Sequence, residues 1–210
     1  MLDVHFVILG AVIGCAGTAV YLWDTVRGRT QPNRVSWLLW AAAPLLAFAV
    51  ELRDGVGLRS LMTFVVGFGP LVVFLASFHS SGAVWQVRPA DYLCGSLSVA
   101  GLLVWLLTNH GTVALAASIA ADGLAAIPTL RKSFSHPESE TAAAYMAAAV
   151  NAALTLLTVR RATSAVIAFP VYILAIASIE SVLIATRIGP RLRADRAAPV
   201  VPIGALDAES

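Results

Sequence analysis

Charged residues are scarce in this sequence: only 12% of its 210 residues are Asp, Glu, Lys or Arg, whereas 59% are hydrophobic. A water-soluble domain carries about 25% charged residues, so the composition excludes an ordinary soluble globular protein. The mean hydropathy of +0.82 indicates the same. We therefore predict an integral membrane protein whose basic residues border the membrane, and we expect no nucleic-acid partner.

The chain also lacks the residue sets from which common catalytic centres are built. Its two cysteines, Cys15 and Cys94, both lie inside apolar runs, which leaves no disulfide framework and argues against a metal cluster. The four histidines are scattered over helix ends and loops, and the motifs His-Glu-x-x-His and Gly-x-Ser-x-Gly are missing. We therefore expect no enzyme, no cofactor, no metal site and no catalytic residue.

Seven apolar stretches of helix length divide the chain. A helix needs roughly 20 residues to cross the hydrocarbon of a bilayer. Continuous runs such as LMTFVVGFGPLVVFLASF exclude the alternating pattern of a β-barrel strand. We predict an all-α membrane protein with seven transmembrane helices, covering Val4–Trp23, Val35–Glu51, Ser60–Phe78, Tyr92–Thr108, Thr112–Leu130, Ala142–Val159 and Ala165–Thr186.

The basic residues indicate the orientation of these spans. Most of the fourteen Lys and Arg residues, including Lys132, fall in loops on the same side as the C-terminal tail. The positive-inside rule therefore predicts a multi-pass protein of the inner cell membrane, with its N terminus outside and its C terminus in the cytoplasm. We expect the tail, residues 188–210, to be cytoplasmic and poorly ordered.

The two halves of the chain match each other at a shift of 105 residues. At this shift Pro32 meets Pro137 and Trp40 meets Tyr145, and the apolar spans coincide. One span is left between the halves, so both halves have the same orientation in the membrane and form parallel repeats. The predicted units are a three-helix repeat over residues 4–78, a connector helix over 92–108 and a second three-helix repeat over 112–187.

This layout resembles the superfamily of SWEET and PQ-loop transporters, of which the chain would be a divergent bacterial member. The segment ADGLAAIPTLRKSFSHPESET is similar to the PQ-loop signature, in which a Pro-Gln pair is followed by basic and Ser-rich residues. Here Thr129 follows Pro128, and Trp23 and Asp24 occupy the matching positions of the first half. The resemblance covers residues 4–187 and implies substrate movement through a central path between two three-helix bundles.

Asp122 is the strongest candidate for chemistry, because a charge at the centre of a span costs about 2.5–3.5 kcal/mol on insertion scales. At helical spacing Ser118, Asp122 and Thr129 lie on one polar stripe, which we expect to face a cavity or a neighbouring helix. Asp122 either carries a proton during transport or binds a substrate hydroxyl or amine. The alternative is a buried Asp that bonds to an Asn or Ser of a neighbouring helix.

Two further spans carry polar residues that we assign to substrate binding or proton coupling. Asn151, Thr155 and Thr158 form a stripe on the sixth span, which either holds a neutral substrate or joins helices. Glu180 lies on one face of the seventh span with Tyr172. We interpret Glu180 as a gate or proton group on the cytoplasmic side, and a pairing with an arginine at the interface is the alternative.

Four prolines interrupt the spans. A proline removes one backbone hydrogen bond and bends its helix, which allows rigid segments to rock against each other. The resemblance to the transporters implies that Pro44, Pro70, Pro128 and Pro170 act as hinges.

Other residues of the spans are interpreted as structural. Trp37 and Trp40 share one helix face near the predicted cytoplasmic interface, which is more typical of an aromatic belt than of a stacking site. Gly10 and Gly14 allow a neighbouring helix to approach closely.

These observations predict a carrier that moves a small polar solute, such as a sugar or an amino acid, by alternating access, with proton coupling through Asp122 and Glu180. Its partners would be the solute and the lipid bilayer, and the sequence is compatible with a homo-oligomer. Two alternatives remain. The WLLW pattern and the layout also resemble nicotinamide-riboside transporters, and a seven-helix cargo or ligand receptor could share the fold. A retinal protein is excluded, because the only lysine, Lys132, lies in a predicted loop.

Overall fold

The computed structural model describes Asp3 and residues 5–53, 60–79, 87–107, 111–159 and 164–197. These residues contain eight α-helices, one short 3-10 helix and no strand, so the prediction of an all-α fold is confirmed for them. The α-helices are α1 (Phe6–Val26), α2 (Arg34–Arg53), α3 (Ser60–Ala76), α4 (Pro89–Leu107), α5 (Gly111–Ser135), α6 (Ala142–Thr158), α7 (Ser164–Thr186) and α8 (Ile188–Ala197).

Helices α1 to α7 correspond one to one with the seven predicted apolar stretches. The largest difference is in α5, which continues past the predicted end at Leu130 to Ser135. The extension carries Lys132, which the sequence placed in a loop but which is fully buried in the structure. Its ammonium group is paired with a buried carboxylate, and this pairing allows a charged residue to continue the helix inside the protein.

Two helical segments are long and apolar enough to cross a membrane by length and composition, Phe6–Val26 and Ile167–Thr186. Only 28% and 22% of their most apolar windows are buried inside the protein. Large apolar side chains such as Leu9, Trp23 and Ile179 are exposed. The length and composition of these two helices, together with their exposed apolar side chains, suggest an association with a membrane.

The helices pack in two groups of three that repeat one pattern of contacts. In the first group α3 contacts both α1 and α2, and in the second group α7 contacts both α5 and α6. Across the groups α1 packs on α6 and α2 packs on α5. Helix α4 packs on α5 and α2. The core therefore lies where six helices, α1 to α3 and α5 to α7, converge.

The loops that precede α2 and α6 lie together at one end of the bundle. Pro32 and Pro137 are both buried, and the second begins the 3-10 helix Pro137–Ser139. The backbone N–H of Gln31 donates to the carbonyl oxygen of Ser139 at 2.9 Å. The two loops that the sequence assigned to one side of the membrane thus contact each other directly.

The segment after α7 differs from the poorly ordered tail that the sequence predicted. Residues 188–197 form α8, and residues 198–210 lie outside the described part of the chain. Arg187 has a left-handed backbone conformation, with φ of 51°, that ends α7 and turns the chain. Arg193 Nη2 then donates to the Ser135 carbonyl oxygen at 2.6 Å, which ties α8 to the end of α5.

Helices α1 and α6 approach each other so closely that a side chain at Gly17 has no space. A Cβ atom added at Gly17 would overlap the Cβ of Ala147 and lie 3.2 Å from the Ala143 carbonyl oxygen. The same atom at Gly14 would make only an ordinary contact, 3.5 Å from Val65 Cγ1. We expect Gly17→Ala to destabilise the protein by about 1–3 kcal/mol through overpacking, whereas Gly14→Ala leaves stability unchanged or raises it.

Thermal unfolding of the purified protein in detergent measures both variants. Equal melting temperatures for Gly17→Ala and the unsubstituted protein would contradict the close packing of α1 on α6.

Candidate functional site

A cavity of about 150 Å³ lies at the convergence of the six helices α1 to α3 and α5 to α7. Its wall is mostly apolar, with side chains such as Val65, Ile173 and Ile176. Among the described residues, α4 and α8 contribute nothing to this wall. An apolar cavity with a small number of polar groups is the usual form of a site for a small ligand. We call it the central cavity.

The central cavity brings together three of the residues that the sequence singled out. Asp122 from α5, Asn151 from α6 and Glu180 from α7 all line it. They lie far apart in the sequence and on three different helices, so only the tertiary structure joins them. The assignment of these residues to a site remains a prediction, and their convergence on one cavity gives it a geometric basis.

Two oxygen atoms in this group are buried without a hydrogen bond. Asn151 is 5% exposed and Glu180 is 2% exposed. Asn151 Oδ1 and Glu180 Oε1 have no hydrogen-bond partner among the described residues. A buried polar atom left unpaired costs about 1–3 kcal/mol, and more for a charged group. Such atoms are usually satisfied by a ligand or by ordered water.

Asp122 has a partner, but not the one that the sequence suggested. The Tyr172 hydroxyl of α7 donates to Asp122 Oδ2 at 2.7 Å, in place of an Asn or Ser of a neighbouring helix. Tyr172 is absent from the described wall of the cavity. Its role is therefore to orient the Asp122 carboxyl group, which itself lines the cavity.

The remaining predicted residues lie in different places. The Thr155 hydroxyl donates to the Asn151 carbonyl oxygen of its own helix at 2.9 Å and does not line the cavity. The side chain of Ser118 lies outside the described part of the structure. The four prolines Pro44, Pro70, Pro128 and Pro170 all lie inside helices, and Pro70 also lines the cavity.

The interpretation of Trp37 and Trp40 as an aromatic belt is wrong. Both rings line the central cavity, and Trp37 is only 5% exposed. The ring centroids of Trp37 and Trp40 lie 5.6 Å apart with an angle of 78° between the planes. Trp37 also packs on Tyr21, at 4.5 Å between centroids. The face of α2 that carries both tryptophans points toward the cavity, so the two rings form an aromatic part of its wall.

A buried ion pair lies beside the cavity. Lys132 and Glu140 form a salt bridge in which both side chains are fully buried. The hydroxyl groups of Tyr21 and Tyr145 donate to Glu140 Oε2 at 2.7 Å and 3.0 Å, and Lys132 Nζ donates to the Gln31 carbonyl oxygen. We call these five residues the buried polar cluster. It joins α1, α5, α6 and the loop before α2, and Tyr145 also lines the cavity.

The sequence analysis missed this cluster. Glu140 and Lys132 were placed in a loop, where charged residues are ordinary. One signal was available, because the 105-residue shift matched Tyr145 with Trp40, and both of these residues line the cavity. No comparable signal marked Glu140, since its partners come from segments distant in the sequence.

The charges around the cavity do not cancel. Lys132 is neutralised by Glu140, and Glu180 interacts electrostatically with Asp122, Glu140 and Lys132. No arginine pairs with Glu180 among the described residues, so the alternative of an interfacial ion pair is wrong for them. The described residues also contain no group of three or more His, Cys, Asp or Glu placed to hold a metal ion. Asp122 and Glu180 therefore make the cavity acidic.

The substitution Glu140→Gln tests the buried polar cluster. It removes the negative partner of a fully buried Lys132, and breaking a buried pair from one side costs about 3–5 kcal/mol. We expect a large fall in melting temperature in detergent. The double variant Lys132→Met/Glu140→Gln, which removes both charges, should recover most of the loss.

The matched control is Glu138→Gln, an exposed glutamate two residues away, which should leave the melting temperature unchanged. A Glu140→Gln protein as stable as the control would show that the pair does not stabilise the fold.

Comparison of the chain with models of known protein families, with curated proteins and with solved structures finds no match. The resemblance to the SWEET and PQ-loop transporters therefore remains a prediction from the sequence, and the functional argument depends on the residues of the central cavity.

Proposed function

We propose that this chain is a seven-helix membrane carrier that moves a small polar solute by alternating access between two three-helix bundles. The observation that carries the proposal is the central cavity, where Asp122, Asn151 and Glu180 meet inside an otherwise apolar and aromatic wall. Two of these residues hold buried oxygen atoms without a hydrogen-bond partner among the described residues. A solute that supplies hydrogen bonds there would satisfy them.

The packing of the helices supports two equivalent bundles. In both groups of three, the third helix contacts the other two, and each group contacts the other through the same pair of positions. Helix α4 follows the first group and contributes no described residue to the cavity wall, which is the behaviour of a connector. These contacts support the proposal of parallel repeats, an architecture that the SWEET transporters illustrate.

The location of the site supports movement rather than storage of the solute. Substrate sites of carriers lie near the middle of the membrane, between the repeats, so that rocking of one repeat exposes the site to either side. Here the cavity is lined by both groups, and the buried polar cluster borders it. Helices α2, α3, α5 and α7 each contain an internal proline, at which a helix can bend.

The orientation in the inner membrane, with an external N terminus, rests on the positive-inside rule. The direct contact between the loops before α2 and α6 supports their assignment to one side. In this orientation the buried polar cluster lies at the cytoplasmic end.

Solute uptake into proteoliposomes tests the proposal. A thermal-shift screen of sugars, amino acids, amines and nucleosides first identifies a ligand, because a ligand that binds the folded state raises its stability. The radiolabelled ligand should then accumulate in vesicles that contain the protein, at a rate well above that of empty vesicles. Binding without any transport would contradict the carrier and favour a receptor.

The variant Asp122→Asn keeps the shape of the side chain and removes its charge. Loss of a hydrogen bond to a charged group costs about 1.5–3 kcal/mol, so uptake should fall by about 10- to 100-fold at low solute concentration. Glu138→Gln, on an exposed loop residue, serves as the control and should transport normally. Normal uptake by Asp122→Asn would remove this residue from the site.

Proton coupling through Asp122 and Glu180 is the second part of the proposal. An inward proton gradient imposed across the vesicle membrane should accelerate uptake, because a carboxyl group that faces each side in turn can carry a proton with the solute. The charged side chains that interact electrostatically with Glu180 are Asp122, Glu140 and Lys132. Uptake that is independent of an imposed gradient would exclude coupling.

A further inference from the structure

We propose, building on the carrier function above, that the solute is a small organic ammonium ion: a primary amine that carries no carboxylate of its own. Its ammonium group would lie between Asp122 and Glu180, and its carbon chain would lie against Trp37 and Trp40. This class of solute replaces the sugar, amino acid or nucleoside expected from the sequence.

The first argument for an ammonium ion is that the charged side chains lining the cavity are acidic. Among the described residues that line it, two are acidic and none is basic. The nearest lysine, Lys132, is already paired with Glu140. A buried carboxylate is costly unless it is paired, so a cation in the cavity stabilises the ionised form of one of the two carboxyl groups, and the other can still carry the coupled proton. A neutral solute gives an ionised carboxylate no such stabilisation, and an anion is repelled by it.

The second argument is that two buried oxygen atoms of cavity residues have no hydrogen-bond donor in the described part of the structure. Three residues that line the cavity hold a buried polar atom without a hydrogen-bond partner among the described residues: Asn151 Oδ1 and Glu180 Oε1 are acceptors, and Trp37 Nε1 is a donor. They lie on side chains that are at least nine-tenths buried. A ligand that satisfies both oxygen atoms must bring donors, and a primary ammonium group brings three N–H donors and no acceptor. A sugar hydroxyl brings one donor, so it supplies fewer donors to these two oxygen atoms than an ammonium group does.

The aromatic wall carries the third step. A cation over the face of a tryptophan gains about 0.5–2 kcal/mol, depending on how completely it is desolvated. Trp37 and Trp40 both line the cavity, with their rings at 78° to each other, so they form an aromatic corner of its wall. Tyr145 adds a third ring to the wall. Aromatic corners of this kind are a common means of binding organic ammonium groups.

The apolar remainder of the wall separates an organic cation from a metal ion. A divalent metal ion is usually held by a cage of about six to eight oxygen ligands. Here Val65, Ile173 and Ile176 occupy much of the lining, and the volume of about 150 Å³ suits a short carbon chain. The same apolar groups favour the methylene groups of an alkylamine through burial of apolar surface.

Three four-carbon compounds test the inference. The compound 4-amino-1-butanol is a cation at neutral pH, 1,4-butanediol replaces its ammonium group with a hydroxyl, and 4-aminobutyrate adds a carboxylate. Binding to the full-length purified protein is followed by intrinsic tryptophan fluorescence and by thermal shift. We expect 4-amino-1-butanol to bind at least about tenfold more tightly than either relative. Equal or tighter binding of the diol or of 4-aminobutyrate would overturn the inference.

Variants locate the effect in the cavity. Glu180→Gln and Asp122→Asn should each weaken binding of 4-amino-1-butanol by about tenfold or more, while Glu138→Gln binds normally. The melting temperature of each variant without ligand verifies that it folds. If both charge-neutral variants fold and keep full affinity, the ammonium group does not bind between these carboxyl groups. Sodium chloride at equal concentration should give no stabilisation, and an equal effect of sodium would assign the site to an inorganic cation.

Uptake of the same compounds into proteoliposomes distinguishes the two proposals. If 4-amino-1-butanol binds with the expected selectivity but does not accumulate, the carrier function fails and the ammonium site stands. If a neutral solute such as glucose accumulates while 4-amino-1-butanol neither binds nor accumulates, the carrier function stands and the ammonium inference fails.

Discussion

The salt bridge between Lys132 and Glu140 is the interaction on which the arrangement of the helices depends. Both side chains are fully buried, so neither can recover the hydration that it lost on folding. Glu140 is satisfied by two tyrosine hydroxyls as well as by the ammonium group, and Lys132 also donates to a loop carbonyl oxygen. These bonds have to form together, because each buried charge is costly without its partners. One end of α1, α5 and α6 is thereby fixed around a single carboxylate.

The buried polar cluster and the central cavity are parts of one continuous structure. Tyr145 lines the cavity with its ring and donates its hydroxyl to Glu140. Glu180 lies in the cavity wall and interacts electrostatically with both members of the ion pair. In the proposed carrier, a cation that binds Glu180 alters the field at the ion pair without contacting it.

The sequence predicted the helices and part of the site, because both depend on local properties. Apolar runs fixed α1 to α7 to within a few residues at most ends, and an acid inside an apolar run identified Asp122 and Glu180. The rest depends on which segments meet in space. Lys132 and Glu140 look like ordinary charged loop residues until their partners are known. The belt interpretation of Trp37 and Trp40 failed because the sequence does not show whether a helix face points into the protein or toward the membrane.

The glycine contact between α1 and α6 bears on how the two bundles could move. Gly17 lies directly against the Cβ of Ala147 and the backbone of Ala143 and Ala144 in α6, so the two helices are in close contact there. This contact joins α1 of the first group of helices to α6 of the second group. The other contact between the two groups, α2 with α5, includes a hydrogen bond in which the Ser36 hydroxyl donates to the Ala125 carbonyl oxygen at 2.6 Å. Separation of α2 from α5 requires the loss of this hydrogen bond, whereas separation of α1 from α6 requires two closely packed helices to move apart.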